Sequence, residues 1–323
     1  MTKTRVAVLR GGPSSEYDVS MQTGAGVLRA LGDLGYHVVD VTVSKAGEWI
    51  VDGRVKDPDK ALLTTDVVFI AMHGAYGEDG TVQRICERLH IPFTGSNSFA
   101  SAMAFNKDMT KRALREHIFH LPRHVRVTSD NLLDIEAVSN VIADSFGPTY
   151  VLKPTSSGSS HGVQIVRSEN LKDALQAAVS QYGECMVEEH IQGTEATCAV
   201  LGDFRDNDLY CLPAIEIVPR SDRAFFDETA KYDGSTAELC PGRFSYEEKE
   251  KIAELAETVH RVLGLSQYSR TDCIVKDGEV YFLEVNTLPG LTSESLFPKA
   301  AAAVGLSFND LIDHLVRTAR VYS

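Results

Sequence analysis

Residues 270–286 read RTDCIVKDGEVYFLEVN. Two apolar runs flank Asp277-Gly278, and this pattern predicts a β-hairpin. Side chains on a strand alternate between faces, so the length of the turn decides which residues meet. A two-residue turn would point Asp272 away from Glu284, whereas a three-residue loop at 276–278, with Gly278 left-handed, would align them. We therefore predict the three-residue loop, which brings a polar set to one face: Arg270, Asp272, Glu284 and Asn286.

This polar set has the chemistry of a metal site. Two carboxylates and an amide on one face repel each other unless a hard cation lies between them, and all-oxygen ligands suit Mg²⁺ held together with substrate phosphates. The alternative is an ordinary hairpin with one solvated face. The apolar run Tyr281-Phe282-Leu283 weakens that alternative, because it is too apolar for an exposed edge strand.

Size and composition limit the classes of protein to which this chain can belong. The chain has 323 residues, of which 43% are hydrophobic and 24% charged, as expected for a globular protein of two or three domains. A net charge of −13 argues against general affinity for nucleic acid. No stretch is apolar enough to cross a membrane and no signal region precedes the first strand, so we expect a cytoplasmic protein. The six cysteines lack the spacing of a zinc site or a disulfide framework.

The first third alternates strands and helices. Strands are expected at 4–10, 37–43 and 66–72 with helices between them, an order that predicts a Rossmann-like parallel sheet in a domain spanning 1–106. Ligand groups in such sheets lie at the carboxyl ends of strands, where Gly11-Gly12 and His73-Gly74 fall. Glu16 could receive a substrate ammonium there or simply belong to a helix cap, and a lone His73 is more often structural than functional.

Two further units follow. Residues 107–189 are expected to form a small α+β domain, and residues 190–323 a third domain that contains the hairpin. The connection 219–243 is longer than a link usually needs, so it is predicted to be either functional or disordered.

Several segments could bind a nucleotide. Lys153 precedes the glycine-serine loop 155–162, whose backbone N–H groups could wrap a phosphate, although a surface loop is an equal alternative. Lys107 and Lys231 are further candidate phosphate cations. Glu188 could hydrogen-bond an adenine edge while Ile191 covers its face. A nicotinamide site is disfavoured, because Gly11-Gly12 is not followed by the usual glycine spacing.

Taken together, the motifs form a pattern that resembles the D-alanine–D-alanine ligases of the ATP-grasp superfamily. The resemblance covers residues 5–315 and rests on these segments in order: GGPSSEYDVS (11–20), HGAYGEDG (73–80), PFTGS (92–96), LKPTSSGSSHGV (152–163), VEEHIQGTEAT (187–197), AKY (230–232), CPG (240–242), SRTDCIVKDGEVYFLEVNTLPGLTSESL (269–296) and VGLSFNDLI (304–312).

The resemblance implies a three-domain α/β ATP-grasp fold with ATP between the second and third domains. It implies phosphate contacts from Lys107, Lys153 and Lys231, nucleoside contacts from Glu188, Ile191 and Glu195, and two Mg²⁺ or Mn²⁺ ions on Asp272, Glu284 and Asn286. The first D-alanine would meet Glu16 and His73, and the oxyanion would meet Arg270 and the backbone of Gly290. Site closure would involve Ser159 and Tyr232, and the second D-alanine carboxylate would meet Ser295, preceded by Ser293.

The implied activity is the ATP-dependent joining of two D-alanines through a D-alanyl phosphate, for peptidoglycan precursors. The alternatives are an ATP-grasp ligase that takes D-serine, D-lactate or another amino acid second, and a noncatalytic nucleotide-binding module. Tyr232 favours an amine nucleophile, because related depsipeptide-forming ligases tend to carry histidine there. The family is commonly dimeric, so a homodimer is expected.

Overall fold

The computed structural model describes residues 3–118, 120–158, 161–218 and 237–322. Three separate β-sheets organise these residues. In order across each sheet, the strands begin at residues 54, 49, 37, 5 and 67 in the first, at 124, 184, 149 and 164 in the second, and at 237, 215, 194, 268 and 279 in the third, where the strand that begins at 207 pairs with that at 194. No helix in the described part of the chain is long and apolar enough to cross a membrane.

The first sheet has a parallel centre. Apolar β1 (Arg5–Gly11) lies between β2 (His37–Val43) and β5 (Val67–Ile70) and is parallel to both, as predicted. An antiparallel hairpin that the sequence analysis missed extends the β2 edge, formed by β3 (Trp49–Val51) and β4 (Arg54–Lys56). Beyond β5, Phe93 forms isolated bridges to Val68 and to Arg320. The associated helices are α1 (Tyr17–Asp33), α2 (Pro58–Leu62), α3 (Thr81–Arg88) and α4 (Ser98–Phe105).

The second sheet is antiparallel and small. Its strands are β6 (His124–Thr128), β7 (Thr149–Pro154), β8 (Gln164–Arg167) and β9 (Glu184–Glu189). Helices α6 (Ile135–Phe146) and α7 (Leu171–Tyr182) cover it and close a core around Tyr150 and Leu175. Strand β6 was not predicted. Helix α5 (Lys107–Leu114) leads into this unit and begins at Asn106, whose side chain accepts a hydrogen bond from the Met109 amide.

The third sheet contains the hairpin. Its strands are β10 (Thr194–Phe204), β11 (Asn207–Cys211), β12 (Ile215–Val218), β13 (Ala237–Leu239), β14 (Tyr268–Lys276) and β15 (Glu279–Asn286). Helix α8 (Tyr246–Val262) packs on one face, and its first turn carries a capping box between Ser245 and Glu248. The last two helices are α9 (Leu296–Ala303) and α10 (Phe308–Arg317).

Both faces of the third sheet are buried along β10. Cys198 and Val200 point into the core beneath α8, whereas Ala199 and Leu201 join the core of the first sheet. This alternation follows from the two-residue period of a strand. The third sheet is therefore held between α8 and the first unit, and the face that carries the polar residues of the hairpin continues into the core shared with β1.

The hairpin turn differs from the prediction. Lys276 pairs with Glu279, so the turn has two residues, Asp277 and Gly278, with φ of 53° and 79°. Left-handed values at both turn positions are typical of the tight hairpin turn that matches strand twist. The three-residue loop is therefore wrong. Further along the hairpin the pairing shifts by one residue. Cys273 pairs with Phe282 but Asp272 pairs with Glu284, so Leu283 is an extra residue in a β-bulge.

Candidate active site

The bulge brings the predicted polar set together around Asp272. Arg270 donates two hydrogen bonds to this carboxylate, from Nε to Oδ1 at 2.9 Å and from Nη2 to Oδ2 at 2.8 Å. Asn286 Nδ2 donates to Oδ2 at 3.2 Å, and Thr197 Oγ1 donates to Oδ1 at 2.5 Å. Burial lowers the pKa of Arg270, but Asp272 and Glu284 outweigh it and the pKa lies above its usual value. The guanidinium is therefore a permanent positive charge.

Glu284 faces Lys107, the first residue of α5. The two charged groups are 3.3 Å apart, and the same ammonium donates a 2.7 Å hydrogen bond to the backbone oxygen of Ser157. Lys107 thus connects the glycine-serine loop to the hairpin. Directly opposed carboxylates such as Asp272 and Glu284 would destabilise a sheet, and here each has its own cation.

The donor set fits a hard divalent cation. Asp272, Glu284 and Asn286 offer only oxygen ligands on one face, the chemistry that Mg²⁺ and Mn²⁺ prefer. Among the described residues, no group of three or more histidine, cysteine, aspartate or glutamate side chains could hold a metal ion. The pair of carboxylates would therefore share a metal with ligands from elsewhere, for which substrate phosphates are suited.

A cavity of about 450 Å³ lies between the second and third sheets. This volume is within the range of small-molecule sites. Its apolar wall includes Val151, Ile165 and Ile217, and the metal-binding candidates Asp272 and Glu284 lie at its edge. The same cavity contains the four residues that the sequence analysis assigned to nucleotide contacts in this region: Lys153, Glu188, Ile191 and Glu195.

Glu188 is engaged by two lysines at the back of this cavity. Its carboxylate is 2% exposed, lies 2.7 Å from Lys153 Nζ and forms an ion pair with Lys111. Burial raises the pKa of Glu188, but the two ammonium groups outweigh burial and hold the pKa below its usual value. Glu188 is therefore a charged counter-ion for lysines. Its predicted contact with an adenine edge stays a prediction.

A second, smaller cavity of about 100 Å³ lies against the first sheet. It brings together residues from the two ends of the chain that were assigned to the amino-acid substrates and the oxyanion: Glu16, His73, Arg270, Gly290 and Ser295. Arg270 lies in the walls of both cavities, so it marks the point at which they meet. Ser293 is exposed and does not line either of these cavities.

His73 is held neutral with both ring nitrogens engaged. Nδ1 lies 3.1 Å from the Leu288 backbone oxygen, which can only accept, so Nδ1 carries the proton. Nε2 then accepts from the Thr23 hydroxyl at 2.8 Å. Burial lowers the pKa of His73 to about 4. This histidine therefore shapes the cavity and joins the first sheet to the loop after β15, and it has no free nitrogen to take up a proton.

Glu78 is a member of the smaller cavity that the sequence analysis missed. Its Oε1 accepts from the Gly74 amide at 2.9 Å. Burial raises its pKa to about 8, and the nearby charge of Glu16 contributes. At neutral pH Glu78 is mostly protonated and adds little negative charge to the cavity. Its place directly after Gly77 in the segment HGAYGEDG was the available signal.

Glu16 lies directly beneath the glycine-serine loop. A Cβ added to Gly158 would collide with the Glu16 carboxylate, and one added to Gly74 would lie 2.6 Å from its Oε2. The glycine-serine loop and the segment after β5 can both approach Glu16 this closely only because Gly158 and Gly74 lack side chains. Three predicted site residues, Ser159, Lys231 and Tyr232, lie outside the described residues, as does most of the segment 219–243.

Two more site residues were missed by sequence reasoning. Lys111 follows Lys107 by four residues, so both project from one side of α5, and this helical spacing was the available signal. Thr197 lies opposite Asp272 in the β10–β14 ladder, and only the strand register places its hydroxyl on that carboxylate.

Comparisons with known proteins place the chain among its relatives. The family models described as the D-ala D-ala ligase C-terminus and N-terminus match residues 120–317 and 53–96. The D-alanine–D-alanine ligase of Syntrophobacter fumaroxidans is 39% identical over 322 residues, covering 98% of both chains. That of Desulforudis audaxviator is 40% identical over 321 residues, also covering 98% of both chains.

Solved structures show the same similarity. The VanG D-Ala:D-Ser ligase from Enterococcus faecalis has a TM-score of 0.84 at 30% identity, covering 98% of this chain and 99% of its own. The Bacillus anthracis D-alanine–D-alanine ligase complexed with ATP has a TM-score of 0.77 at 32% identity, with coverage of 98% and 97%. Similarity of this extent, together with the matched family models, means that the chain belongs to the D-alanine–D-alanine ligase family and has its ATP-grasp fold.

Proposed function

We propose that this protein joins two D-alanine molecules to D-alanyl-D-alanine, with conversion of ATP to ADP and phosphate, in the synthesis of peptidoglycan precursors. The observation that carries the proposal is the position of Arg270, which lies in the walls of both cavities beside Asp272 and Glu284. A nucleotide in the larger cavity and an amino acid in the smaller one would meet at this residue. The family relationship supports the same activity.

The larger cavity is the proposed ATP site. Its apolar wall would hold the base next to Ile191, Glu195 would meet the ribose, and Lys153 would meet the phosphates. Lys107 and Lys231 complete the proposed phosphate contacts. Similarity to a ligase solved with ATP supports this assignment.

Asp272, Glu284 and Asn286 are the proposed ligands of two Mg²⁺ or Mn²⁺ ions. When bound, these ions would neutralise the triphosphate and orient it for attack. The remaining positive charge at the reacting centre comes from the chain itself, through the permanently charged Arg270.

The reaction has two proposed steps. A carboxylate oxygen of the first D-alanine attacks the γ-phosphorus and ADP leaves, which forms D-alanyl phosphate. The amine of the second D-alanine then attacks the acyl carbon, loses a proton, and phosphate departs. Arg270 and the Gly290 N–H are the proposed donors to the oxyanion of the second step. Loss of one such donor typically costs about 10²–10³ in rate.

Substrate binding is assigned to the smaller cavity. Glu16 is the proposed partner of the first D-alanine ammonium, because Glu78 is mostly protonated at neutral pH. Neutral His73 packs beside it, and Ser295, with Ser293 before it, is proposed to meet the carboxylate of the second D-alanine. Water must be excluded, since an acyl phosphate hydrolyses. We assign that role to the segment 219–243 with Ser159 and Tyr232.

The chain is proposed to have three domains, 1–106, 107–189 and 190–323. One of the three sheets lies within each of these ranges, which supports the division. A homodimer in the cytoplasm is the proposed working form, by analogy with the family.

The test measures phosphate release from ATP with Mg²⁺ and D-alanine, and identifies the product by mass. We expect phosphate release matched by D-alanyl-D-alanine, and none with L-alanine. A folded Glu284→Gln variant is the matched control and should release little phosphate. ATP binding without phosphate release or dipeptide would overturn the ligase assignment and favour a noncatalytic nucleotide-binding module.

A second candidate is a ligase that takes D-serine as the second substrate, favoured by the similarity to a D-Ala:D-Ser ligase. Assays with D-alanine together with D-serine or D-lactate separate the candidates. A mixed product formed in preference to D-alanyl-D-alanine would establish the alternative.

A further inference from the structure

Lys111 is a buried cation behind the wall of the larger cavity. Its side chain is fully buried, and it does not line the cavity as Lys153 and Glu188 do. It pairs with one oxygen of Glu188 while Lys153 Nζ lies 2.7 Å from the other. A hydrogen bond of 3.4 Å to the Pro122 backbone oxygen further holds its ammonium.

Lys111 and Glu188 carry opposite charges at neutral pH. Burial lowers the pKa of Lys111 to about 8, and the Glu188 carboxylate opposes a larger fall. Two ammonium groups and one carboxylate give this part of the wall a net charge of +1. Without Lys111, the Glu188 carboxylate would neutralise Lys153, the lysine that faces the cavity.

We propose that Lys111 is a positioning residue of the nucleotide site, which engages Glu188 and so leaves the positive charge of Lys153 available to the phosphates. This inference rests on the proposed function, since it requires a nucleotide in the larger cavity. Stability alone does not explain the triad, because replacing buried ion pairs with apolar residues of similar volume is often neutral or stabilising.

A rescue experiment separates this role from packing. Lys111→Met keeps most of the side-chain volume but lowers the wall charge to zero. Adding Glu188→Gln restores +1, because Lys153 is then no longer neutralised. Packing around a removed lysine would not be repaired by a second substitution next to it. Lys172→Met is the matched control, since Lys172 is half-exposed on α7 and pairs with Glu136.

The measurement is isothermal titration calorimetry of the full chain with the non-hydrolysable analogue AMP-PNP and Mg²⁺, and separately with AMP. We expect Lys111→Met to weaken AMP-PNP binding at least about tenfold, equivalent to roughly 1.4 kcal/mol. The loss should be smaller for AMP, which carries fewer phosphate charges. The double variant should bind AMP-PNP more tightly than Lys111→Met does, and Lys172→Met should bind like the wild type.

The inference is overturned if Lys111→Met binds AMP-PNP as tightly as the wild type, or if the double variant remains as weak as the single one. Should Lys111→Met fail to fold, Glu188→Gln and the double variant differ only in Lys111. In that case the double variant should bind AMP-PNP about as tightly as Glu188→Gln, because Lys111 acts through Glu188. A double variant that binds at least about tenfold more weakly than Glu188→Gln sinks the inference. A wild-type chain that binds no nucleotide removes the proposed ATP site as well.

Discussion

Asp272 and Glu284 are direct cross-strand neighbours, although the turn that joins their strands would place them on opposite faces in a regular hairpin. Leu283 makes the difference, because this single extra residue shifts the phase of β15 by one position. The two carboxylates that are proposed to bind metal therefore meet because of a bulge. Such bulges re-aim side chains next to functional sites in many sheets.

The two-residue turn gives the first prediction. Gly278 has a φ of +79°, which costs an L-residue about 1–2 kcal/mol. Gly278→Ala should therefore lower the midpoint of urea unfolding, whereas Gly32→Ala, in the last turn of α1 with open space around it, should raise it slightly. Equal shifts for the two variants would argue against the turn.

The hydroxyl of Thr197 should strengthen Mg²⁺ binding at the proposed metal site. It donates at 2.5 Å to Asp272 Oδ1, and removing such an outer partner of a metal ligand typically costs 10–100-fold in metal affinity. Thr197→Val should raise the Mg²⁺ concentration for half-maximal phosphate release by roughly that factor. Thr128→Val is the control, because it removes a hydroxyl at the end of β6 that donates a hydrogen bond to the Asn131 side chain. An unchanged Mg²⁺ dependence for Thr197→Val would contradict the assignment.

Glu78 should make stability depend on pH. Its folded pKa of about 8 lies above the unfolded value of 4.5, so the folded state holds this proton more tightly. The stability that this bound proton gives the folded state is fully present below pH 4.5 and is lost as the pH rises to about 8. As the pH rises through that window, the free energy of unfolding of Glu78→Gln should increase relative to that of the wild type by about 1.4 kcal/mol per pH unit.

Urea unfolding at several pH values between 5 and 8 measures this difference. Glu116→Gln, at an exposed position, should follow the wild type throughout. If the free energies of unfolding of Glu78→Gln and the wild type differ by a constant amount across this range, Glu78 is ionised in the folded protein.

Gly290 and Ser295 should be coupled. A Cβ at Gly290 would lie 2.7 Å from Ser295 Oγ, which also accepts from the Thr292 amide at 3.0 Å. Gly290→Ala should displace this hydroxyl and raise the KM for D-alanine more than it lowers kcat, with kcat/KM falling by about 10- to 100-fold.

The same substitution in a Ser295→Ala background tests the cause. Ser295 Cβ would be 3.5 Å from the new methyl group, an ordinary contact, so no further loss is expected there. A full additional loss in the double variant would mean that the methyl group acts through another neighbour.

Much of the site could be predicted because its signals are local. Alternation along β14 and β15 and the glycine-rich ends of β1 and β5 pointed to residues that the structure brings into two adjoining cavities. Even the bulge left a trace, since the buried residues Val280, Phe282 and Val285 are spaced by two and then by three. The turn was mispredicted because a bulge and a longer loop place the same residues on one face of the hairpin.

The order of most strands and helices, the parallel centre of the first sheet and the chemical type of most proposed site residues follow from the sequence alone, because they depend on short-range periodicity and on side-chain chemistry. Tertiary structure decided which groups are partnered. Lys111 pairs with Glu188 across 77 positions of sequence and His73 reaches the Leu288 oxygen across 215. Burial also sets the charge of some site residues, because it lowers the pKa of His73 and raises that of Glu78. Desolvation and long-range contact depend on how the sheets pack, which local sequence periodicity does not encode.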